Sequence, residues 1–144
     1  MEESLSCVLS RCFETPDKDW SQYSALPLAY LGDAVFDLAV REVLLRRGNA
    51  PADRLHHAAS RVVRAPQQAR MIRALSEDLS KEEAGVYRRG RNAKPLNTAK
   101  NASREEYLEA TGFEALVGYL YLEGRYERLC ELVSLGLERT GMKI

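Results

Sequence analysis

Asp33 and Glu114 are the two side chains whose placement in this sequence asks for a chemical explanation. Asp33 interrupts the apolar run LAYLGDAVFDLAV and Glu114 interrupts ATGFEALVGYLYL. Both runs are apolar on most helical faces, so both carboxylates are expected near the interior. An uncompensated ionised carboxylate there costs on the order of several kcal/mol. A basic partner, a bound proton or a metal ion can offset that cost. A hard cation such as Mg²⁺ takes oxygen ligands and usually keeps several waters beside only one or two protein carboxylates. Residue type alone leaves two readings open, a pair of buried Arg–carboxylate ion pairs and a shared divalent ion. Asp37 lies four residues after Asp33 on the same helical face, with Arg41 one turn further. Gly32 directly precedes Asp33, and Gly118 follows Glu114 by one turn. A glycine inside a helix costs ~1 kcal/mol relative to alanine, so two of them beside the two odd acids predict a close approach of helices.

Other chemistries find little support. His56 and His57 are adjacent and so diverge around a helix, unlike a metal-binding pair at i, i+4 spacing; they read as surface or ligand-facing residues. There is no GxSxG, Walker or GxGxxG motif. Cys7, Cys12 and Cys130 form no CxxC pair, which argues against a disulfide framework or a structural zinc. All three read as small buried or half-buried thiols, Cys130 as part of an apolar helix face.

The elements that must carry the two carboxylates are helices. Residues 3–14 show helical spacing, and Thr15-Pro16-Asp17-Lys18-Asp19 reads as a turn. One long helix is predicted from Ala25 to Arg47, stopped by Gly48-Asn49. Pro51 suits a first helical position for 51–63, and Pro66 makes 65–76 a separate helix. Ser80-x-x-Glu83 and Ser103-x-x-Glu106 are capping boxes that open helices at about 81–91 and 104–122. A polar, basic loop joins them. Gly124 separates a last helix, about 125–139. Strand signals are nearly absent, so the fold class is all-α. The 144 residues suit one domain over 1–144.

With 45% hydrophobic and 29% charged residues, the composition is that of a soluble globular protein, and no apolar run approaches the length of a bilayer span. The acidic Met1-Glu2-Glu3 start does not read as a secretory signal, so a cytoplasmic protein with no membrane partner is expected. The net charge of zero hides a segregation. Residues 1–53 hold 5 basic and 9 acidic side chains, 54–104 hold 12 and 4, and 105–144 hold 4 and 8. Basic blocks at 54–76 and 84–104 suit a polyanionic partner through counterion release. Charge alone equally allows a solvated face balanced by neighbouring acids.

Three stretches carry a family likeness: LAYLGDAVFDLAVREVLL at 28–45, RRGRNAK with the following PLNTAKN at 88–101, and TGFEALVGYLYL at 111–122. The first resembles the signature helix of the ribonuclease III catalytic domain. In order and spacing the chain resembles the Mini-ribonuclease III group from about residue 25 onward, leaving residues 1–20 as a variable N-terminal segment. The resemblance implies an all-α catalytic domain working as a homodimer around a double-stranded RNA. It assigns Asp33 as the catalytic aspartate and Glu114 as the metal-binding glutamate. It also implies hydrolysis to 5′-phosphate and 3′-hydroxyl ends, and trimming of the paired ends of precursor 23S ribosomal RNA. Larger members have a Glu at the position of Ala29 and an Asp at that of Thr111, so this site has fewer carboxylates. They also carry a separate double-stranded-RNA-binding domain, whereas this sequence stops at Ile144. RNA affinity is therefore expected from the catalytic domain itself or from a partner such as a ribosomal protein.

On this reading Mg²⁺, for which Mn²⁺ can substitute, is held by Asp33 and Glu114, and Asp37 orients water on the metal. Arg61, Arg64, Arg88, Arg89, Arg91, Lys94 and Lys100 are candidates to grip phosphates. Asn92 and Asn101 either donate to RNA or only form turns. Duplex RNA presents a deep, narrow major groove that side chains cannot read, so recognition is expected through shape, phosphates and 2′-hydroxyls. Tyr30, Phe36, Tyr119 and Tyr121 fit core or dimer-interface positions. Two alternatives are a non-catalytic double-stranded-RNA-binding module on the same fold and a plain helical interaction protein.

Overall fold

The computed structural model describes residues 3–93 and 103–144, and all of its regular structure is helical among them. Seven α-helices follow one another: α1 Leu5–Cys12, α2 Ala25–Arg47, α3 Ala52–Val63, α4 Ala65–Leu75, α5 Lys81–Asn92, α6 Arg104–Leu122 and α7 Tyr126–Arg139. Short 3₁₀ turns at Trp20–Gln22 and Ser76–Asp78 lead into α2 and out of α4.

Local chemistry sets the boundaries. Both capping boxes form: Ser80 Oγ accepts from Glu83 N–H while the Glu83 carboxylate accepts from Ser80 N–H, and Ser103 and Glu106 repeat the exchange. Pro51 stands one residue outside α3, so that helix begins at Ala52. At the end of α2, Gly48 is extended at φ 174°, whereas Gly124 closes α6 in the left-handed region at φ 73°, where a side chain would be strained.

The central element is α6. From Glu109 to Leu120 every residue except Glu114 is buried, because α2, α4, α5 and α7 all pack around this helix. The core joins Leu28, Phe36 and Val40 of α2, Met71, Ile72 and Leu75 of α4, Phe113, Leu116 and Leu120 of α6, and Leu132 of α7. Each such side chain contributes roughly 1.5–3 kcal/mol on burial. Phe36 and Phe113 meet edge to face with ring centroids 5.3 Å apart, fixing α2 against α6.

Buried ion pairs tie the outer helices to this core. Glu83 of α5 is fully buried and receives two bonds of 2.8 Å from Arg128 of α7. Those bonds hold its carboxyl below the usual range despite the desolvation. Glu109 of α6 receives bonds of 2.8 and 2.6 Å from Arg73 of α4. The N-terminal helix is different: α1 is amphipathic but buries no residue, and Leu5, Leu9 and Phe13 stay exposed.

The cysteines depart from expectation, for all three are exposed. Cys7 and Cys12 lie on the uncovered α1. Cys130 of α7 borders an open groove that α2 lines from the other side.

Candidate active site

Two glycines bring the carboxylates together. A Cβ at Gly32 would stand 1.7 Å from the carbonyl oxygen of Glu114, and one at Gly118 would stand 2.1 Å from that of Leu28. The α2 and α6 backbones therefore touch at the point where each carries its carboxylate. Any larger residue at Gly32 would separate the pair.

At this crossing the carboxyl groups of Asp33 and Glu114 lie within hydrogen-bonding reach of each other. Glu114 is half-buried, and its carboxyl is pushed up to about 8. Desolvation by burial is the largest cause, followed by the hydrogen bond and the negative charge of Asp33; Gln68 partly opposes the rise. Asp33 itself is exposed, contrary to the expectation that both carboxylates lie inside. The outer face of α2 has no covering element among the described residues, and the apolar sequence around Asp33 includes that face: Leu26, Tyr30 and Leu38 are exposed as well.

Among the described residues neither carboxylate has a basic partner. Among the described residues the buried-ion-pair reading thus finds no cation for this pair, although it holds for Glu83 and Glu109. Two facing oxygen donors without a cation, one of them favouring a proton at neutral pH, fit a hard divalent ion. No cluster of three or more His, Cys, Asp or Glu side chains forms among the described residues, so protein ligands would leave room for water. Asp37, one turn further along α2, accepts from Arg41 Nε at 3.0 Å.

A third polar group, unforeseen in the sequence, completes the site. Gln68 of α4 is 2% exposed, and its Nε2 donates to Val63 O at 2.6 Å and to Glu114 Oε2 at 3.3 Å. Its only sequence signal is an amide one turn before Ile72, on a helix face that is otherwise core. Thr111 stands where larger relatives have an Asp, and its hydroxyl donates to Tyr107 O within α6.

The candidate RNA contacts divide. Arg61, Arg64, Arg88, Arg89, Arg91 and Asn92 are exposed, and none of these arginines pairs with an acid among the described residues. Arg54 and His57 extend Arg61 into an exposed stripe along α3 at helical spacing, and Arg64 follows as the extended residue that joins α3 to α4. Arg70 and Arg73 belong to the same basic block but are engaged in the fold, by Thr140 O and Glu109. Both basic helices reach the carboxylates: the last turn of α3 is bonded to Gln68, and Gly90 of α5 packs on Gly112 and Ala115 beside Glu114. Lys94, Lys100 and Asn101 lie outside the described residues.

An all-helical domain with a carboxylate from each of two crossing helices, flanked by exposed arginines, is the arrangement of a ribonuclease III domain. The model of the Ribonuclease III domain family matches residues 26–125. The Mini-ribonuclease 3 of Symbiobacterium thermophilum is 51% identical over 109 residues, covering 76% of this chain and 84% of that protein. The Mini-ribonuclease 3 of a Thermoanaerobacter species is 42% identical over 96% of this chain and 97% of its own length. A crystal structure of a protein from Fusobacterium nucleatum superposes with a TM-score of 0.76 at 29% identity, covering 86% of this chain and 99% of that one. The chain belongs to the ribonuclease III family of endoribonucleases, and within it to the Mini-ribonuclease III group.

Proposed function

We propose that this protein is a divalent-metal-dependent endoribonuclease that hydrolyses double-stranded RNA to 5′-phosphate and 3′-hydroxyl ends, with Asp33 and Glu114 as its catalytic carboxylates. The meeting of these two side chains without a cation among the described residues carries the reading. Asp33 and Glu114 would hold Mg²⁺ or Mn²⁺, which when bound supplies an acidified water and positive charge at the scissile phosphate. Exposed Asp33 gives an RNA strand access to the site, while half-buried Glu114 is kept in place by the backbone contact at Gly32. Glu114 must give up its proton to serve as a ligand. Asp37, turned to Arg41, is placed to orient water only after leaving that partner. Arg61 and Arg64 on one side, and Arg88, Arg89 and Arg91 on the other, would hold phosphates flanking the cut.

The working form is a homodimer. An apolar row of Leu26, Tyr30, Leu38 and Leu45 lies uncovered along α2 on either side of Asp33, and Tyr30 is 84% exposed. A second copy seated there would bury the row and bring two sites to one duplex, one for each strand. The resemblance to the Mini-ribonuclease III group implies precursor 23S ribosomal RNA as the cytoplasmic substrate, with a ribosomal protein as an aid to binding.

Incubation with a labelled RNA duplex, with Mg²⁺ and with chelator, tests the reading. Cleavage that requires Mg²⁺ and disappears in Asp33→Asn, while that variant still binds the duplex, is the expected result. Duplex binding without cleavage by the wild-type protein would instead establish the non-catalytic RNA-binding module.

A further inference from the structure

Gln68 stands out among the buried polar groups because its amide nitrogen is shared between Val63 O and Glu114 while its amide oxygen has no partner among the described residues. Its neighbour Gln67 is equally buried but serves the fold, donating to Thr140 Oγ1 at 2.9 Å and accepting from Arg70. Gln68 Nε2 faces two acceptors, the Val63 carbonyl and the Glu114 carboxylate. The Val63 carbonyl fixes the orientation of the amide, since the reverse orientation would set two acceptor oxygens against each other. Gln68 Oε1 is buried and finds no partner among the described residues. A buried carbonyl oxygen left without a donor is destabilising, so its presence next to a carboxylate pair points to a donor that arrives with a ligand.

We propose that Gln68 is a positioning residue of the metal site: its NH₂ ties one oxygen of Glu114 to the end of α3, and its carbonyl oxygen accepts from the hydration shell of a divalent cation held between Asp33 and Glu114. The proposal rests on reading those two carboxylates as the metal ligands.

An amide suits this task better than the other side chains that would reach. An arginine or lysine at 68 would neutralise Glu114 and compete with the cation, as Arg73 and Arg128 do for their own glutamates. A glutamate would add like charge to a site that already strains to hold two. A leucine or methionine would leave Glu114 free to turn. The amide donates to the carboxylate without cancelling the charge that attracts the ion. Its second bond, to Val63 O, links the carboxylate to the turn that carries Arg64. Ion binding and phosphate binding then share one support.

The test titrates the full-length protein with Mn²⁺ at fixed pH without RNA, reading free Mn²⁺ by electron paramagnetic resonance and bound Mn²⁺ by water-proton relaxation. Loss of an outer hydrogen-bond partner typically weakens metal binding 10–100-fold, and Gln68→Met is expected to raise the Mn²⁺ Kd by about that factor. The relaxation enhancement per bound Mn²⁺ should change as well, which a purely structural role would not produce, while metal-free melting stays close to wild type. Gln68→Lys should abolish binding. A Gln68→Met protein that binds Mn²⁺ within twofold of wild type overturns the proposal, provided Asp33→Asn is weakened; the carboxylate reading then survives alone. Absence of Mn²⁺ binding by the wild-type protein sinks both. If Gln68→Met and the nearly isosteric Gln68→Glu both lose helical circular dichroism, Gln68 is a folding residue and the proposal fails.

Discussion

Glu114→Gln separates a functional carboxylate from a merely tolerated one, because it should stabilise the protein when metal is absent. The Glu114 carboxyl is raised from 4.5 to about 8 by burial and by Asp33. In the unfolded chain both influences vanish. Between these two values the folded protein therefore holds a proton that the unfolded chain has released, and metal-free stability must fall as pH rises. The slope is ~1.4 kcal/mol per pH unit for one group, so the loss reaches a few kcal/mol at pH 8 and then levels off. Below about pH 4.5 Glu114 is protonated in both states and contributes nothing of this kind. Glutamine keeps the shape of the side chain and has no such titration. The Tm of Glu114→Gln minus that of wild type, measured in chelator from pH 5 to pH 9, should start near zero and grow by several degrees. Groups remote from the pair titrate equally in both proteins and cancel in the difference. Mn²⁺ should then raise the wild-type Tm at pH 8 and leave that of the variant unchanged. A difference that stays flat with pH would mean that Glu114 is not held against Asp33 in a desolvated place, and the site assignment would lose its physical basis.

Three further outcomes are expected. Gly32→Ala places a methyl group into the Glu114 carbonyl and should cost ~3 kcal/mol or more in chemical denaturation, together with Mn²⁺ binding, whereas Gly85→Ala meets no atom within 4 Å and should be neutral or stabilising by up to ~1 kcal/mol. Arg128→Met leaves fully buried Glu83 without its main partner and should lower stability by ~3–5 kcal/mol at pH 7. Since the Glu83 carboxyl is held below its ordinary 4.5, the stability it adds is present above that pH and lost as pH falls through the lowered value; acid unfolding of wild type but not of Arg128→Met should show that loss. Replacing Arg88 or Arg91 by alanine should weaken duplex binding and reduce the slope of log affinity against log salt by about one each, whereas Arg73→Ala, which breaks the Glu109 pair, should show its effect in stability.

Residues close in the chain determined the helices. Ser80 with Glu83 and Ser103 with Glu106 cap the helices they begin, Pro66 divides α3 from α4, and Gly124 ends α6, because caps and turns act over three or four residues. The sequence also singled out Asp33 and Glu114, since a carboxylate in an apolar helix is visible without knowing its neighbours. Tertiary structure decided whether they meet. Gly32 against the Glu114 backbone sets that contact, and it joins segments far apart in the chain. Exposure was likewise beyond local reading: an apolar helix face looks the same in sequence whether its own chain covers it, as at Phe36, or leaves it bare, as at Tyr30, and Asp33 and Cys130 follow the bare side. Arg73 and Arg88 are alike in a charge count, yet a buried glutamate waits beside one and solvent beside the other. Gln68 was an unremarked amide until packing set its NH₂ on Glu114. Hydrogen bonds and ion pairs act over a few ångströms, and only the folded chain determines which groups come that close.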